Sequence, residues 1–531
     1  MRKICFLILL TSCISLFSCR KEMGKPSWDT EVLTPLVHGT LNINNILPDS
    51  VLQTNADSSM KIVFNNNLYN LTMDTIFKIN DTTLTQGYAL PIAQTMATGL
   101  AFINNSTTTT YQLPGVELRK VIIKSGKVRY AIKNKVNHIM NFTYSIPSAT
   151  LGGTPFSIDI DVPSAVNGVP GVYDEVFDLS GYALDLTGPF HNQINTIYTS
   201  LLAKISTDPP ASVVINPQDS LVITNTFFDI IPYYAKGYFG QNTFYIGPSE
   251  SNFTMFNRIV GGTLQLEHVN FNFNIENPIG LDARMYVTNL NSTNTRTNHS
   301  LALVAPSLIG VPININRASE SGTTVYPTYC NFPLTTTNSN IKPFIENLPD
   351  KLGYSIKIMT NPLGNVSGSN DFIYSDKLLK ASMNMEIPLS MVAHDLTLMD
   401  TLAMSIASPT GAQNLHSGTL TLFADNGFPF DASVQLYLLN DNNAVVDSIF
   451  GYANTIVQAP INASYRVIDK KLTKIVLPIS EAKMNEMYTI KKVALKVKFN
   501  TAAQPNYVKI YSDYTIDVNL VGDLNYTIHL N

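Results

Sequence analysis

Three stretches of the chain alternate apolar and polar residues with period two: 127–134, 270–277 and 419–426. Successive side chains of a strand point to opposite sides, so each stretch predicts a strand with one buried face. The inward sets are Val128, Tyr130 and Ile132, then Phe271, Phe273 and Ile275, then Leu420, Leu422 and Ala424. Each stretch ends in a charged residue followed by Asn: Asn134, Asn277 and Asn426. The register continues beyond the Asn, with Val136, Ile279 and Phe428 two residues on and Phe142, Met285 and Val434 eight residues on. The Asn residues are 143 and 149 positions apart. A stripe written three times at near-equal intervals predicts three related modules. Asn at a strand end has a structural reading, since its side chain bonds nearby backbone and it tolerates left-handed geometry. As ligands the three would be widely separated, one per module.

Later in each module the spacing changes from two to three and four. Ile194, Ile197, Tyr198, Leu201, Leu202 and Ile205 predict a helix in the first module. Phe344, Ile345, Leu348 and Leu352 predict one in the second, and Met484, Met487 and Tyr488 one in the third, with Ser480 as its N-cap. The fold class expected is therefore mainly β: tandem β-sandwich-like modules, each with a short helix. The modules fall at 116–256, 257–407 and 408–531, preceded by a β region at 28–115 that reads as a partial module. Ile-Tyr-Ser-Asp occurs at 373–376 and again at 510–513. Residues 434–450 read as a hairpin turning at 440–443. Trp28, the only tryptophan, reads as a core anchor for the first strand.

The start of the chain follows a different rule. Arg2 and Lys3 precede a largely apolar run from Ile4 to Phe17. A short basic-then-apolar stretch ending in a small residue reads as a secretory signal, too short to span a bilayer. The ending Leu16-Phe17-Ser18-Cys19 resembles the bacterial lipobox. That resemblance implies removal of residues 1–18, diacylation of Cys19 and a polar tether over 19–27. Cys5 and Cys13 would leave with the signal, so Cys330 remains alone and no internal disulfide can form. About 510 residues must then hold together by their core.

Composition narrows the function classes. Charged residues make up 14% of the chain, against about 25% in ordinary soluble domains. Loss of Arg2 and Lys3, with no acid, takes the net charge from −4 to −6, which leaves no basic footprint for nucleic acid. There is no Gly-x-Ser-x-Gly elbow, no phosphate-cradling loop and no His-Glu-x-x-His. None of the eight histidines has another within five residues, and His138 takes the inward register of Leu281 and Phe430. The acids from Asp441 to Asp447 lack the Gly and terminal Glu of a calcium loop and read as a hairpin tip. The expectation is a protein without catalytic residues, metal or other cofactor.

The lipobox, the abundance of Asn and Thr, and the low charge together resemble exported lipoproteins of the Bacteroidota. In that group Asp-Ser/Thr followed by an apolar residue or Thr resembles an O-glycosylation acceptor, which makes Ser50, Thr75, Thr82, Ser220, Thr401 and Ser448 candidates. The group's surface-export signal carries several acids after the lipidated Cys. Arg20-Lys21-Glu22 offers one, which favours the periplasmic leaflet of the outer membrane. The strand-Asn-strand core, at Ile275-Glu-Asn-Pro-Ile279 above all, resembles the β-sandwich of late-embryogenesis-abundant type 2 domains. Three functions are expected in descending order. The first is a non-catalytic binding or scaffold lipoprotein that partners another envelope protein. The second is a carrier or sensor of an apolar ligand such as lipid, and the third a glycan-binding or glycan-cleaving surface protein.

Overall fold

The computed structural model describes residues 27–45, 47–403, 413–451, 454–490 and 492–529. Cys19, the signal segment and most of the tether lie outside the described residues, as does the Trp28 side chain. Strand accounts for 62% of the described residues and helix for 5%. The protein is mainly β, built of sandwich-like modules.

The three Asn-ending stretches are strands, Glu117–Asn134, Asn270–Asn277 and Gln413–Asn426. We call these the clamp strands. Each lies in a sheet between two antiparallel neighbours. On one side is a closing strand, Ser220–Tyr238, Leu379–Pro388 or Ile516–His529. On the other is a flanking strand, Gly171–Asp178, Thr328–Leu334 or Lys471–Ser480. The register repeats as well: Ile132 faces Ile223, Ile275 faces Ala381, and Ala424 faces Val518. Ile132, Ile275 and Ala424 are all buried, in the same place in three sandwiches.

The opposite sheet is equally regular. The strands Met140–Leu151, Ala283–Asn294 and Phe430–Leu439 carry Phe142, Met285 and Val434 into the core. They pair with Thr196–Ile205, Lys351–Thr360 and Lys492–Thr501. Those strands in turn take a further partner, Ala101–Thr110, Thr243–Asn252 or Ser390–Ala403; the first two are edges, while Ser390–Ala403 pairs onward with Ile259–Leu266.

The N-terminal stretch supplies what each clamp sheet lacks. Thr82–Ala89 pairs with the first closing strand, Met60–Leu71 with the second and Ser27–Leu41 with the third. The end of each N-terminal strand meets the start of its partner: Ala89 faces Ser220, Leu71 faces Leu379, and Leu41 faces Ile516. Residues 28–115 are β-rich, as their pattern predicts, but their strands are shared among the three sandwiches. This stretch visits them in the reverse of their chain order, and it leaves a paired neighbour where each closing strand would otherwise expose an edge.

The Ile-Tyr-Ser-Asp repeat marks the joints. Asp371–Tyr374 pairs with the far half of the first closing strand, Tyr234 facing Tyr374. Val508–Lys509 pairs with Ser390–Met391, which follow the second closing strand. Ile373 and Ile510 are fully buried there. One apolar cluster reaches from Ile43 to Ile516, so the sandwiches share a continuous core.

Two of the three expected helices form: α1 at Ile341–Glu346 and α2 at Glu481–Thr489. The Ser480 side chain caps α2, accepting from the Lys483 N–H. The first-module helix is corrected. Residues Thr196–Ile205 are a strand, with Ile197, Leu201, Ala203 and Ile205 buried at even steps. Tyr198 and Leu202 are half-buried on the other face, and apolar residues on both faces of a strand imitate helical spacing.

Candidate functional site

The three repeated asparagines are fully buried and make one arrangement three times. The Asn134 Oδ1 accepts from the Val136 N–H at 2.8 Å, while its Nδ2 donates to the His138 carbonyl at 2.9 Å and to the Pro163 carbonyl at 2.9 Å. Asn277 accepts from Ile279 at 3.1 Å and donates to Leu281 at 3.2 Å and Asn316 at 2.8 Å. Asn426 accepts from Phe428 at 2.8 Å and donates to Phe430 and Val457, both at 2.9 Å. Each side chain thus ties the turn after its own strand to a segment 29, 39 or 31 residues later. Every amide atom is engaged with protein backbone, so these residues pin the sandwiches together and have nothing left for a ligand.

His138 is buried at the core edge, with Nε2 3.1 Å from the Ser206 carbonyl. The 440–443 turn closes a hairpin, and Asp447 near its tip pairs with Lys483 of α2. Among the described residues, no group of three or more His, Cys, Asp or Glu is placed to hold a metal ion. Ser50, Thr75 and Thr401 are exposed, while Thr82, Ser220 and Ser448 are half-buried. Cys330 faces Ile275 from the neighbouring strand, and burial pushes its thiol up.

Polar groups collect at the joint between the first two sandwiches. Arg317 bridges Asp282 at 2.6 Å and Asp371 at 3.1 Å, and the Asn361 Nδ2 donates to Asp371 at 2.8 Å. Burial pushes the Asp371 carboxyl up, against the pull of these partners. Beside it the loop after Thr360 reaches back to the first clamp strand. The Arg119 guanidinium donates to the Gly368 carbonyl, and Asn365 donates to Glu117 at 2.9 Å. From the other side the Leu186 N–H donates to the Arg119 carbonyl at 2.8 Å. The segment after Leu186 exposes Phe190 to 82%, and the loop after Thr360 exposes Leu363 and Val366.

A second feature lies inside the first sandwich. A cavity of about 240 Å³ opens between its sheets, walled by Leu118, Val121, Ile123, Leu184, Ile197 and Phe227. Tyr111, Asn80, Thr82, Gln112 and Asn195 supply its polar lining, and no charged side chain lines it. The Tyr111 hydroxyl is buried without a hydrogen-bond partner, and burial pushes its pKa up. Nearby in the same core the Asn225 Nδ2 donates to the Tyr144 hydroxyl at 3.1 Å. Its Oδ1 stays unpartnered, as does the Tyr130 hydroxyl. The sequence pattern hides this cavity, because an apolar wall residue and an apolar core residue look alike.

A scan against protein-family models finds no match, and neither does a search of curated proteins. Among solved structures the chain is similar to a protein described as secreted, from Parabacteroides distasonis ATCC 8503. The likeness spans 94% of this chain and all of that one, at 10% identity and a TM-score of 0.26. The VP2 protein of infectious bursal disease virus, as its D431N mutant, is similar over 92% of this chain and 83% of its own, at 9% identity and a TM-score of 0.12. Likenesses of this size carry no argument about the chain.

Proposed function

We propose that this chain is a non-catalytic binding or scaffold protein of the bacterial cell envelope, held by a lipid on Cys19, whose partner is another envelope protein. The observation that carries the reading is the exposure of three large apolar side chains on two loops that bond to the same residue. Phe190, Leu363 and Val366 stand in water on two loops that are themselves tied to Arg119. Exposed apolar side chains on braced loops are what a protein partner buries most favourably. The repeat supports the same reading, since its most regular polar residues are wholly engaged in holding the sandwiches.

The anchor belongs to this proposal too. The lipobox sets it at Cys19, and the single acid after it favours the periplasmic leaflet of the outer membrane. The acceptor motifs at Ser50, Thr75, Thr82, Ser220, Thr401 and Ser448 fit glycosylation after export, none of them being fully buried. The late-embryogenesis-abundant type 2 likeness bears on the fold of the repeat and passes no function to it.

The test is crosslinked recovery from host membranes of the chain and of a triple variant, Phe190→Ser, Leu363→Ser and Val366→Ser. The parent chain should bring down one partner reproducibly, and the variant should lose it. Recovery of the same proteins by both chains would refute the reading. Labelling with radioactive palmitate, present in the parent and lost in Cys19→Ala, checks the anchor separately.

A further inference from the structure

The first sandwich differs from the third in one respect that its own sequence makes measurable. In both, a glycine lies eight residues before the clamp asparagine, Gly126 and Gly418. A Cβ on Gly126 would meet Ile230 at 2.5 Å, and one on Gly418 would meet Leu524 at 2.8 Å. Across the sheet the Leu179 N–H donates to the Gly126 carbonyl, and Ile479 faces Gly418. Leu179 and Ile230 are therefore the counterparts of Ile479 and Leu524. In the third sandwich that pair packs under Met487 of α2 and Ile490, which follows it. In the first, where the crossover forms no helix, the pair lines the 240 Å³ cavity. Ala183–Asp185, a short strand, bridges the two sheets in the place of the helix. The plug is missing and the socket remains.

We propose that this cavity is a binding site for a small neutral apolar molecule: an unbranched alkyl chain bearing one uncharged oxygen. The walls are aliphatic and aromatic, and an apolar cavity of roughly 150 Å³ already stays dry and takes a benzene-sized guest. A guest here replaces the packing that α2 supplies in the third sandwich. The oxygen is specified by the polar part of the lining, Asn80, Thr82, Gln112 and Asn195, which places hydrogen-bonding groups beside the apolar walls. The charge is specified by the absence of any cationic side chain in the lining, which leaves a carboxylate head uncompensated. The oxygen could belong to a free alcohol or to an ester of a lipid, and the two are separated by the probes. This inference does not rest on the protein-partner reading, because the titration needs no partner.

The experiment is calorimetric titration and thermal melting of the mature chain, residues 19–531 with Cys19→Ser so that no acyl group competes. The probes are octan-1-ol, methyl octanoate and octanoate at pH 8. Octan-1-ol or methyl octanoate should bind once per chain and raise the melting temperature, whichever is tighter naming the source, with octanoate at least about tenfold weaker. Leu184→Trp should fill the space, abolish binding and raise the melting temperature without probe. Leu179→Phe is a second filler, so the outcome stands if the first fails to fold. Absence of saturable binding by either neutral probe would overturn the proposal, and so would binding undiminished in a folded filler variant.

Discussion

Asn277 satisfies three backbone groups that water cannot reach, the Ile279 N–H and the Leu281 and Asn316 carbonyls. Removing a buried partner costs more than making the bond gains, because each orphaned group carries its own desolvation penalty. Asn277→Ala should therefore destabilise the chain by about 3–5 kcal/mol, read as a drop in urea midpoint. Asn134→Ala and Asn426→Ala should cost similar amounts, since the geometry is the same. A second residue-scale prediction concerns acid. Asp517 pairs with Lys470 at 2.6 Å and accepts from the Thr40 hydroxyl at 2.7 Å, and these hold its carboxyl below the usual value of 3.8. A depressed folded-state pKa gives stability that is present above 3.8 and is lost as the pH falls through the depressed value. Asp517→Asn should flatten that acid limb in melts taken from pH 5 down to about pH 2.

At the scale of elements, α2 shows how a cap decides a short helix. Ser480→Ala should cost about 1 kcal/mol, measured by chemical unfolding, because nine residues with few other anchors depend on their first turn. That cap was legible in the sequence, as were the clamp strands and their inward stripes, because capping and alternation are local signals. Thr196–Ile205 was misread as helix because Tyr198 and Leu202 are half-buried beside the inward Ile197 and Leu201. The partners of the N-terminal strands were not legible at all. Nothing in 27–41 encodes that its partner begins at Ile516, since strand pairing across 475 residues leaves no periodic mark. The candidate site divides the same way. The asparagines stood out by repetition, whereas the cavity depends on a helix that fails to form, and the exposure of Phe190 and Leu363 on irregular loops that carry no periodic signal.

For the whole molecule, the reversed threading makes each sandwich depend on the N-terminal stretch. Deleting residues 27–41 should leave Ile516–His529 with an open edge. Hydrogen exchange should then speed up across 516–529, and size-exclusion chromatography should show self-association through the bare strand. The Val32 and Leu33 pairings with Leu524 and Asp523 extend this logic from space to time. A chain leaving the ribosome or a translocation pore emits 27–41 first and Ile516–His529 last. Its opening ladder therefore has to wait, unpaired, for almost the entire polypeptide to appear. High sequence separation of this kind slows folding and prolongs exposure of sticky backbone. For a chain exported as we propose, the leading strand then needs something to hold it until the trailing one arrives.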